Sequence, residues 1–375
     1  MIVTLSSAFA EMDAPALRQY NRCLGNLLLA HAEGWHVFVP DRAVTDHLIA
    51  SNVLSPWESG FLQQTIRPRV ADLMGQARSA SRVIYCIPDD EPSLTIDERQ
   101  LCVPLSRFEN LEACSASELL TENAQRDGSF YFHVAESLMA TTAKLPLSLR
   151  LLHGGGDTVA GELVRDAGSC PPRICVVDTD RSFPRGPLGQ TAKRVLQKFE
   201  SSDDPLIAVA LTHGRTIENY VAPDIAAALV GTPEMEERAA ALALIDADER
   251  AAGVIAEERT SLFISFKKGV KFGDIRKCPA PHRISLVQYV ACLGGETACA
   301  PLNDPSNDNL KVVQPTGAAL IEKIVHLKDE NAGAHKELCA NILAAHPSGK
   351  LLTELLGVIV AFGLGTSRSV SRARV

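Results

Sequence analysis

The amino-acid sequence predicts an α/β protein with a parallel sheet at its centre, and three observations support this fold class. Between residues 113 and 225, short apolar runs alternate with helical patterns. One run, Ile174-Cys175-Val176-Val177, is continuously apolar, as expected of a strand buried on both faces. Strands that alternate with helices form parallel sheets through crossover connections. We therefore expect a β-α-β-α-β-α-β unit in this part of the chain.

The first 112 residues predict a separate α/β region. A helical pattern covers Ala14 to Ala32, and the apolar run Val37-Phe38-Val39 follows it as a short strand. A second helical pattern, from Trp57 to Ala80 with an interruption near Pro68, leads to the strand Val83-Ile84-Tyr85-Cys86-Ile87. We assign no family resemblance to this region.

The central region, residues 113 to 275, carries the alternating pattern. Its predicted strands lie at Leu119-Leu120, Leu147 to Leu152, Ile174 to Val177 and Leu206 to Leu211, and its predicted helices lie at Asp127 to Thr142, Thr158 to Ala167 and Gln190 to Phe199.

From residue 226 onward the pattern is mostly helical, and residues 276 to 375 form a predicted helical C-terminal region. The predicted elements are helices at Glu234 to Glu258, Thr316 to His326, Ala332 to Ala345 and Ser348 to Phe362, and a strand at Leu262 to Phe266.

Composition narrows the function classes. The 375 residues carry a formal net charge of −8, which excludes a simple electrostatic binding surface for nucleic acid. Aromatic residues make up 5%, too few to favour a base-stacking single-strand binder. An enzyme that meets phosphates through bound metal ions stays possible, because the ions invert the local charge.

The cysteines and the apolar stretches predict a cytoplasmic protein. The ten cysteines are scattered without a Cys-x-x-Cys pair, which favours free thiols in a reducing compartment. Met1 is followed by Ile2-Val3-Thr4-Leu5 without a basic region, so no signal peptide is expected. The longest apolar stretch, Leu355 to Leu364, is too short to span a membrane.

Acidic residues follow two of the predicted strands. Glu122 comes after the first strand of the central region, and Asp178 and Asp180 come after the third. Ligands of parallel sheets gather outside the carboxyl ends of the strands. On an extended backbone Thr179 points away, so both aspartates can face one side. Oxygen ligands in this number suit Mg²⁺ or Mn²⁺, and the sequence predicts such a site here.

This arrangement resembles the TOPRIM domain of topoisomerases, primases and OLD-family nucleases, which place a Glu after the first strand and Asp-x-Asp after the third. The segment from Leu119-Leu120-Thr121-Glu122 through Asp127 to Phe130-Tyr131 is similar to the first strand, turn and helix of that family. Asn123 stands where the family has Gly, and Asp127 lies one residue beyond the usual spacing. The resemblance, over residues 115 to 275, implies a TOPRIM-like core.

The segment after the fourth strand, Arg215-Thr216-Ile217-Glu218-Asn219-Tyr220, is similar to the Glu-Asn-Tyr of OLD-like and defence-associated TOPRIM nucleases. The resemblance implies that Glu218 is a further site acid. It also implies that Lys267 or Lys268, in Phe266-Lys267-Lys268-Gly269, is the later site lysine. The implied metal ligands are Glu122, Asp127, Asp178, Asp180 and Glu218.

The same resemblance implies a divalent-metal-dependent nuclease that hydrolyses DNA or RNA as the effector of an anti-phage defence system. Such proteins commonly act beside an ATPase encoded elsewhere, and this chain contains no ATPase motif. A separate ATPase is therefore an expected partner.

Two alternative functions stay open. Asp178-Thr179-Asp180-Arg181-Ser182 also fits a haloacid-dehalogenase-type phosphatase with Asp178 as nucleophile, although Asp203-Asp204 precedes a strand and Glu122 has no role in that mechanism. The second alternative is a non-enzymatic TOPRIM protein that acts as a scaffold or regulatory subunit.

Structural roles would also explain several of these residues. The aspartates could be turn or capping residues, with Asp127 the N-cap of its helix and Glu218 a residue near a helix start. The run Gly154-Gly155-Gly156 is best explained as a tight turn, because no Gly-Lys-Ser/Thr follows it.

Overall fold

The protein is an α/β protein with two mainly or wholly parallel sheets. The computed structural model describes the chain except for residues 91–94, 98, 143–144, 167, 266, 296–297, 300–301, 303, 316–318 and 367–375. The fold class predicted from the alternating pattern is thus confirmed at the level of α/β architecture.

The first sheet lies within the first 112 residues and has the strand order β2-β1-β3-β5-β4. Its first four strands in this order pair in parallel, and β4 pairs antiparallel with β5. The strands are β1 (Ile2–Leu5), β2 (Val37–Phe38), β3 (Val83–Ile87), β4 (Thr95–Asp97) and β5 (Gln100–Pro104).

The helices of this region mostly follow the predicted patterns. The pattern from Ala14 to Ala32 divides into two helices, and the one near Pro68 is interrupted there by π and 3₁₀ turns. The helices are α1 (Ala8–Glu11), α2 (Ala14–Arg18), α3 (Asn21–Ala32), α4 (Arg42–Ala50), α5 (Pro56–Phe61) and α6 (Val70–Ser79).

The second sheet is formed by the central region, is parallel throughout and has the order β7-β6-β8-β9. This confirms the predicted β-α-β-α-β-α-β unit. Its elements are β6 (Ser117–Thr121), α7 (Ser129–Thr142), β7 (Leu149–His153), α8 (Val159–Val164), β8 (Arg173–Val177), α9 (Gln190–Glu200) and β9 (Ile207–Leu211). Residue 167, the end of one predicted helix, lies outside the described part of the chain.

The rest of the chain is mainly helical, as predicted. The helices are α10 (Pro223–Val230), α11 (Pro233–Ala251), α12 (Phe272–Lys277), α13 (Ala280–Gly294), α14 (Leu320–Glu330), α15 (Ala332–Ala344) and α16 (Ser348–Gly363), and a small antiparallel pair joins β10 (Val270–Lys271) to β11 (Lys311–Val313). The start of the predicted helix at Thr316, residues 316–318, lies outside the described residues.

The predicted strand at Leu262 to Phe266 is wrong for the residues that the structure describes, 262–265. Thr260–Phe263 forms a 3₁₀ turn instead. The reason is that loop groups bind its carbonyl oxygens: Arg215 N donates to Leu262 O at 2.8 Å, and Asn219 Nδ2 donates to Ile264 O at 2.8 Å. The apolar pattern of this segment thus indicates that its side chains are buried, not that it pairs as a strand.

Helix α16 joins both sheets into one core. Ser117 Oγ of β6 donates to Phe362 O at 2.6 Å, and Thr366 Oγ1, just beyond the helix, donates to His31 O of α3 at 2.5 Å. One buried apolar cluster includes side chains from all three predicted regions, such as Leu28, Ile174 and Leu356. Each such side chain contributes about 1.5–3 kcal/mol by leaving water.

Gly363 permits the close approach of α16 to the central region. A Cβ at this position would lie 2.6 Å from Leu147 Cδ1 and 2.8 Å from Leu149 Cγ. The same contact places Ser148 N at 2.6 Å from Gly363 O. A larger residue here would separate the helix from the start of β7.

A buried ion pair aligns β6 with β8 at their amino ends. Arg173 donates to Glu118 Oε2 from Nη2 at 2.6 Å and from Nε at 2.9 Å. Arg173 also donates to Leu163 O at 3.1 Å, at the end of α8. Because both charges are buried and hydrogen-bonded, removal of one partner would leave an uncompensated buried charge.

Within the described residues, no helix is long and apolar enough to cross a membrane.

The buried His31 predicts loss of stability in mild acid. Burial lowers the pKa of His31 from 6.5 to about 4, so folding favours the neutral ring. This contribution to stability is present above about pH 6.5 and is lost as the pH falls towards 4. The free energy of unfolding should fall by up to about 3 kcal/mol over this range. Urea unfolding of wild type and His31→Gln between pH 7 and 4 measures it. The variant should lose less stability over this range, and exposed His326→Gln should match wild type. Equal losses in wild type and His31→Gln would contradict the assignment.

Candidate functional site

The candidate site lies at the carboxyl ends of β6 and β8, the two central strands of the second sheet. The chain leaves β6 towards β7 on one side and leaves β8 towards β9 on the other. This reversal opens a crevice in which parallel sheets bind ligands. Thr121 pairs with Val176, so Glu122 and Asp178 both follow directly at the same edge.

Loop contacts fix the segment after β8. Thr179 N donates to Thr212 Oγ1 at 3.0 Å, and Thr179 Oγ1 donates to Gly214 O. Asp180 N donates to Arg215 O at 2.8 Å. The loop that follows β9 therefore holds the Asp-Thr-Asp segment in place.

The expectation of an extended backbone through Asp180 is wrong. Asp180 has φ +52°, in the left-handed region that Asp tolerates better than most residues. Gly189 packs against it so closely that an added Cβ would lie 2.6 Å from Asp180 Cβ. Strand alternation thus does not determine the direction of Asp180, and its hydrogen bond to Arg215 O accompanies the left-handed turn.

Five carboxylates interact at this edge. Burial raises the pKa of Asp178 well above its usual range, and the negative charges of Glu218, Asp127, Glu122 and Asp180 raise it further. Burial also raises the pKa of Glu122, with further contributions from Asp180 and Asp127. The other four acids predicted as metal ligands therefore lie within electrostatic reach of Asp178.

Two cations already pair with two of these acids. Lys268 Nζ lies 2.8 Å from Asp180 Oδ1. Arg126 Nε lies 2.6 Å from Asp127 Oδ1, and Arg126 Nη1 lies 3.6 Å from Glu322 Oε1 on α14. The sequence analysis did not select Arg126, although its place next to Asp127 was visible.

The two predicted lysines differ. Lys268 reaches the site through Asp180, whereas Lys267 is exposed and makes no ion pair with a described residue. The backbone of Lys268 is held by a hydrogen bond of 2.8 Å from its N to Ser265 Oγ. Of the two candidates, the structure brings only Lys268 to the carboxylates.

Glu218 is buried in the short 3₁₀ helix Ile217–Tyr220 after β9. Neighbouring side chains anchor this helix: Asn219 bonds to Ser261 O and Ile264 O, and Tyr220 OH accepts from His213 N at 2.9 Å. Among the described residues, none donates a hydrogen bond to the carboxylate of Glu218 or Asp178. The carboxylate of Glu122 also accepts no hydrogen bond from a described residue, whereas Asp127 and Asp180 each have a donor. Three of the five acids are therefore left without a protein donor.

Asp127 is not the N-cap of its helix. Asn123 caps the π turn Ala124–Gly128 instead, since its Oδ1 accepts from Arg126 N at 3.1 Å. Asn123, which stands where the TOPRIM pattern has Gly, thus has a local structural role as a cap.

The three consecutive glycines form a turn that supports the loop of Glu122. Gly154 N donates to Thr121 O at 2.8 Å, and Gly155 N donates to Glu122 O at 3.1 Å. A Cβ on Gly154 would lie 2.9 Å from Thr121 O. This turn fits the structural explanation, and it fixes the backbone from which Glu122 extends.

Asp204 does not belong to the site. It precedes β9, at the opposite edge of the sheet, and accepts a hydrogen bond of 2.9 Å from Arg107. The second acidic group required by the phosphatase mechanism is therefore not supplied by Asp204.

The donor set fits Mg²⁺ or Mn²⁺ because it consists of carboxylate oxygens with unmet negative charge. In the described part of the chain, however, no three His, Cys, Asp or Glu side chains converge closely enough to hold a metal ion. Asp127 and Asp180 point to their cations. That Glu122, Asp178 and Asp180 share one ion stays a prediction.

Fold and site together define an α/β protein with an acidic crevice at the switch point of a parallel sheet. No protein-family model, curated protein or solved structure matches the chain. The functional argument therefore rests on the chemistry of the crevice.

Metal binding can be tested through stability alone. Like charges about 4 Å apart repel by about 4 kcal/mol at an effective dielectric of 20, so Asp178→Asn should melt at or above the metal-free wild type. A hundredfold excess of Mn²⁺ over its Kd should stabilise wild type by about 2.7 kcal/mol. Thermal unfolding with and without Mn²⁺ measures both effects.

Asp178→Asn should gain much less from Mn²⁺ than wild type. Asp203→Asn, which changes an exposed acid outside the crevice, should gain as much as wild type. An identical response of wild type and Asp178→Asn would show that Asp178 is not a ligand.

Proposed function

We propose that this protein is a Mg²⁺- or Mn²⁺-dependent nuclease that hydrolyses phosphodiester bonds of DNA or RNA. The single observation that carries the proposal is the set of three site acids, Glu122, Asp178 and Glu218, that lack a protein donor at the switch point. Buried carboxylates need a cation or a proton. A site that recruits metal ions also explains how a chain of net charge −8 can act on a polyanion.

We further propose that the central region is a TOPRIM-like core. Support comes from the wholly parallel sheet, from Glu122 after its first strand and from Asp178-Thr179-Asp180 after its third. Glu218-Asn219-Tyr220 after the fourth strand adds to it. The resemblance to OLD-like and defence-associated TOPRIM nucleases motivates two further proposals, an anti-phage role and a separate ATPase partner.

The site residues have two proposed roles, metal binding and stabilisation of negative charge. Glu122, Asp178 and Asp180 would hold one ion, and Asp127 or Glu218 would serve a second. A divalent ion held by these acids would supply Lewis-acid chemistry: it would polarise the scissile phosphate and lower the pKa of the attacking water. Lys268 and Arg126 place positive charge at the same edge, where it can stabilise the charge that builds up on the phosphate oxygens.

Substitution of the site acids tests the activity. Asp178→Ala and Glu122→Ala should each abolish Mg²⁺- or Mn²⁺-dependent cleavage of plasmid, linear DNA and RNA, because each removes an oxygen ligand. Asp203→Ala should retain wild-type activity, and thermal unfolding checks that all three proteins fold. Full cleavage by Asp178→Ala would move the chemistry elsewhere. Hydrolysis of a small phosphate monoester without nuclease activity would favour the phosphatase alternative.

The neighbouring lysines provide a matched pair. Lys268→Ala should lower the cleavage rate by about a hundredfold to a thousandfold, the range for removal of one electrostatic transition-state group. Lys267→Ala should leave the rate near that of wild type, because Lys267 has no contact at the carboxylates. Single-turnover cleavage measures both. Equal rates for the two variants would remove Lys268 from the proposed chemistry.

A further inference from the structure

A second cavity lies directly beside the acidic crevice. Its volume is about 290 Å³, at the lower end of the range for small-molecule sites. Thr179 and Arg181 line it, and these residues flank Asp180 in the chain. Since consecutive Cα atoms are about 3.8 Å apart, the cavity begins within one residue of the site acids.

The cavity contains a polar group without a partner. Arg181 Nε is buried and makes no hydrogen bond. Neither Arg181 nor Glu257, on another wall, forms an ion pair with a described residue, whereas Arg185 pairs with Glu258 nearby. Buried polar groups in native proteins are normally satisfied, so Arg181 is available to a ligand. Glu257 is half-buried and is available as well.

The balance of charges indicates what kind of ligand fits. Two arginines face two glutamates, so the cavity has no excess of positive charge to attract an isolated anion. It offers a strong donor in Arg181 and a strong acceptor in Glu257. A neutral ligand with acceptors on one edge and donors on another complements both.

The remaining walls include several apolar side chains. Leu211 and Phe263 line the cavity, and Ile255, which is 56% exposed, borders it. The ring of His213 is fixed beside it by a contact of 3.0 Å between Nδ1 and Tyr220 OH. Aromatic rings stack on the faces of unstacked bases, and aromatic and apolar side chains together enclose bases that are turned out of a duplex.

We propose that this cavity binds one nucleobase, guanine, of the nucleotide next to the scissile phosphate. Guanine presents the O6 and N7 acceptors that arginine reads most often, and its N2 amino group donates. Arg181 would bind the acceptors and Glu257 the amino group. The inference rests on the proposed nuclease function and gives that function a base preference.

Binding is tested first, in EDTA, so that the result does not depend on catalysis. Calorimetric titration with dGMP, dAMP, dCMP and dTMP compares ligands of equal phosphate charge. Wild type should bind dGMP about tenfold more tightly than the other three, the effect of one bidentate arginine contact. Arg181→Gln and Glu257→Gln should each remove this difference. Arg194→Gln, an exposed arginine of α9 outside the cavity, should retain it.

Cleavage is tested next with Mn²⁺ on single strands of randomised sequence, and the cut sites are sequenced. Wild type and Arg194→Gln should cut with guanine enriched about tenfold at one position beside the cut, and Arg181→Gln should cut without this enrichment.

The outcomes separate the two proposals. Cleavage with equal use of all bases, together with equal binding of the four nucleotides, would overturn the nucleobase site and leave the nuclease proposal standing. No cleavage, with tight dGMP binding that depends on Arg181, would overturn the nuclease and assign the cavity to a free guanine nucleotide. Thermal unfolding of Arg181→Gln and Glu257→Gln excludes loss of folding as the cause.

Discussion

The parallel pairing of β6 with β8 is the constraint on which the candidate site depends. At their amino ends the buried pair Arg173–Glu118 fixes one strand against the other. The strands are parallel, and Thr121 pairs with Val176. The residues that follow the two strands, Glu122 and Asp178, therefore lie at the same edge of the sheet. A shift of β6 by one residue against β8 would move Glu122 to the other face of the sheet from Asp178. A buried ion pair at one end of the sheet thus supports the strand register on which the arrangement of acids at the other end depends.

The negative charge at that edge is partly neutralised by residues from distant parts of the chain. Lys268, before β10, neutralises Asp180, and Arg126 is held between Asp127 of the sheet loop and Glu322 of α14. The helical region is therefore part of the electrostatics of the crevice, not only a cover for the sheet. A metal ion at this edge would compete with both protein cations for their acids.

The sequence predicted what depends on local pattern. Alternating apolar runs located the parallel strands, and their ends located Glu122 and Asp178, because strand ends of a parallel sheet share an edge. It could not predict the left-handed turn at Asp180, whose N–H bonds to the distant Arg215. It mistook Leu262 to Phe266 for a strand, since burial beneath a loop gives the same apolar pattern. Contacts between residues that are close in space but far apart in the sequence could not be predicted from the sequence pattern.

The position of α16 between the sheets has a consequence for how the chain folds. Its contacts join residues 245 positions apart at Ser117 and Phe362, and residues 335 apart at Thr366 and His31. Contacts of such high sequence separation slow folding, because loop closure costs entropy before it is repaid. During synthesis both sheets emerge long before the helix that covers them. Until α16 is made, the apolar side chains that it covers stay exposed, and such surface favours aggregation of the incomplete chain.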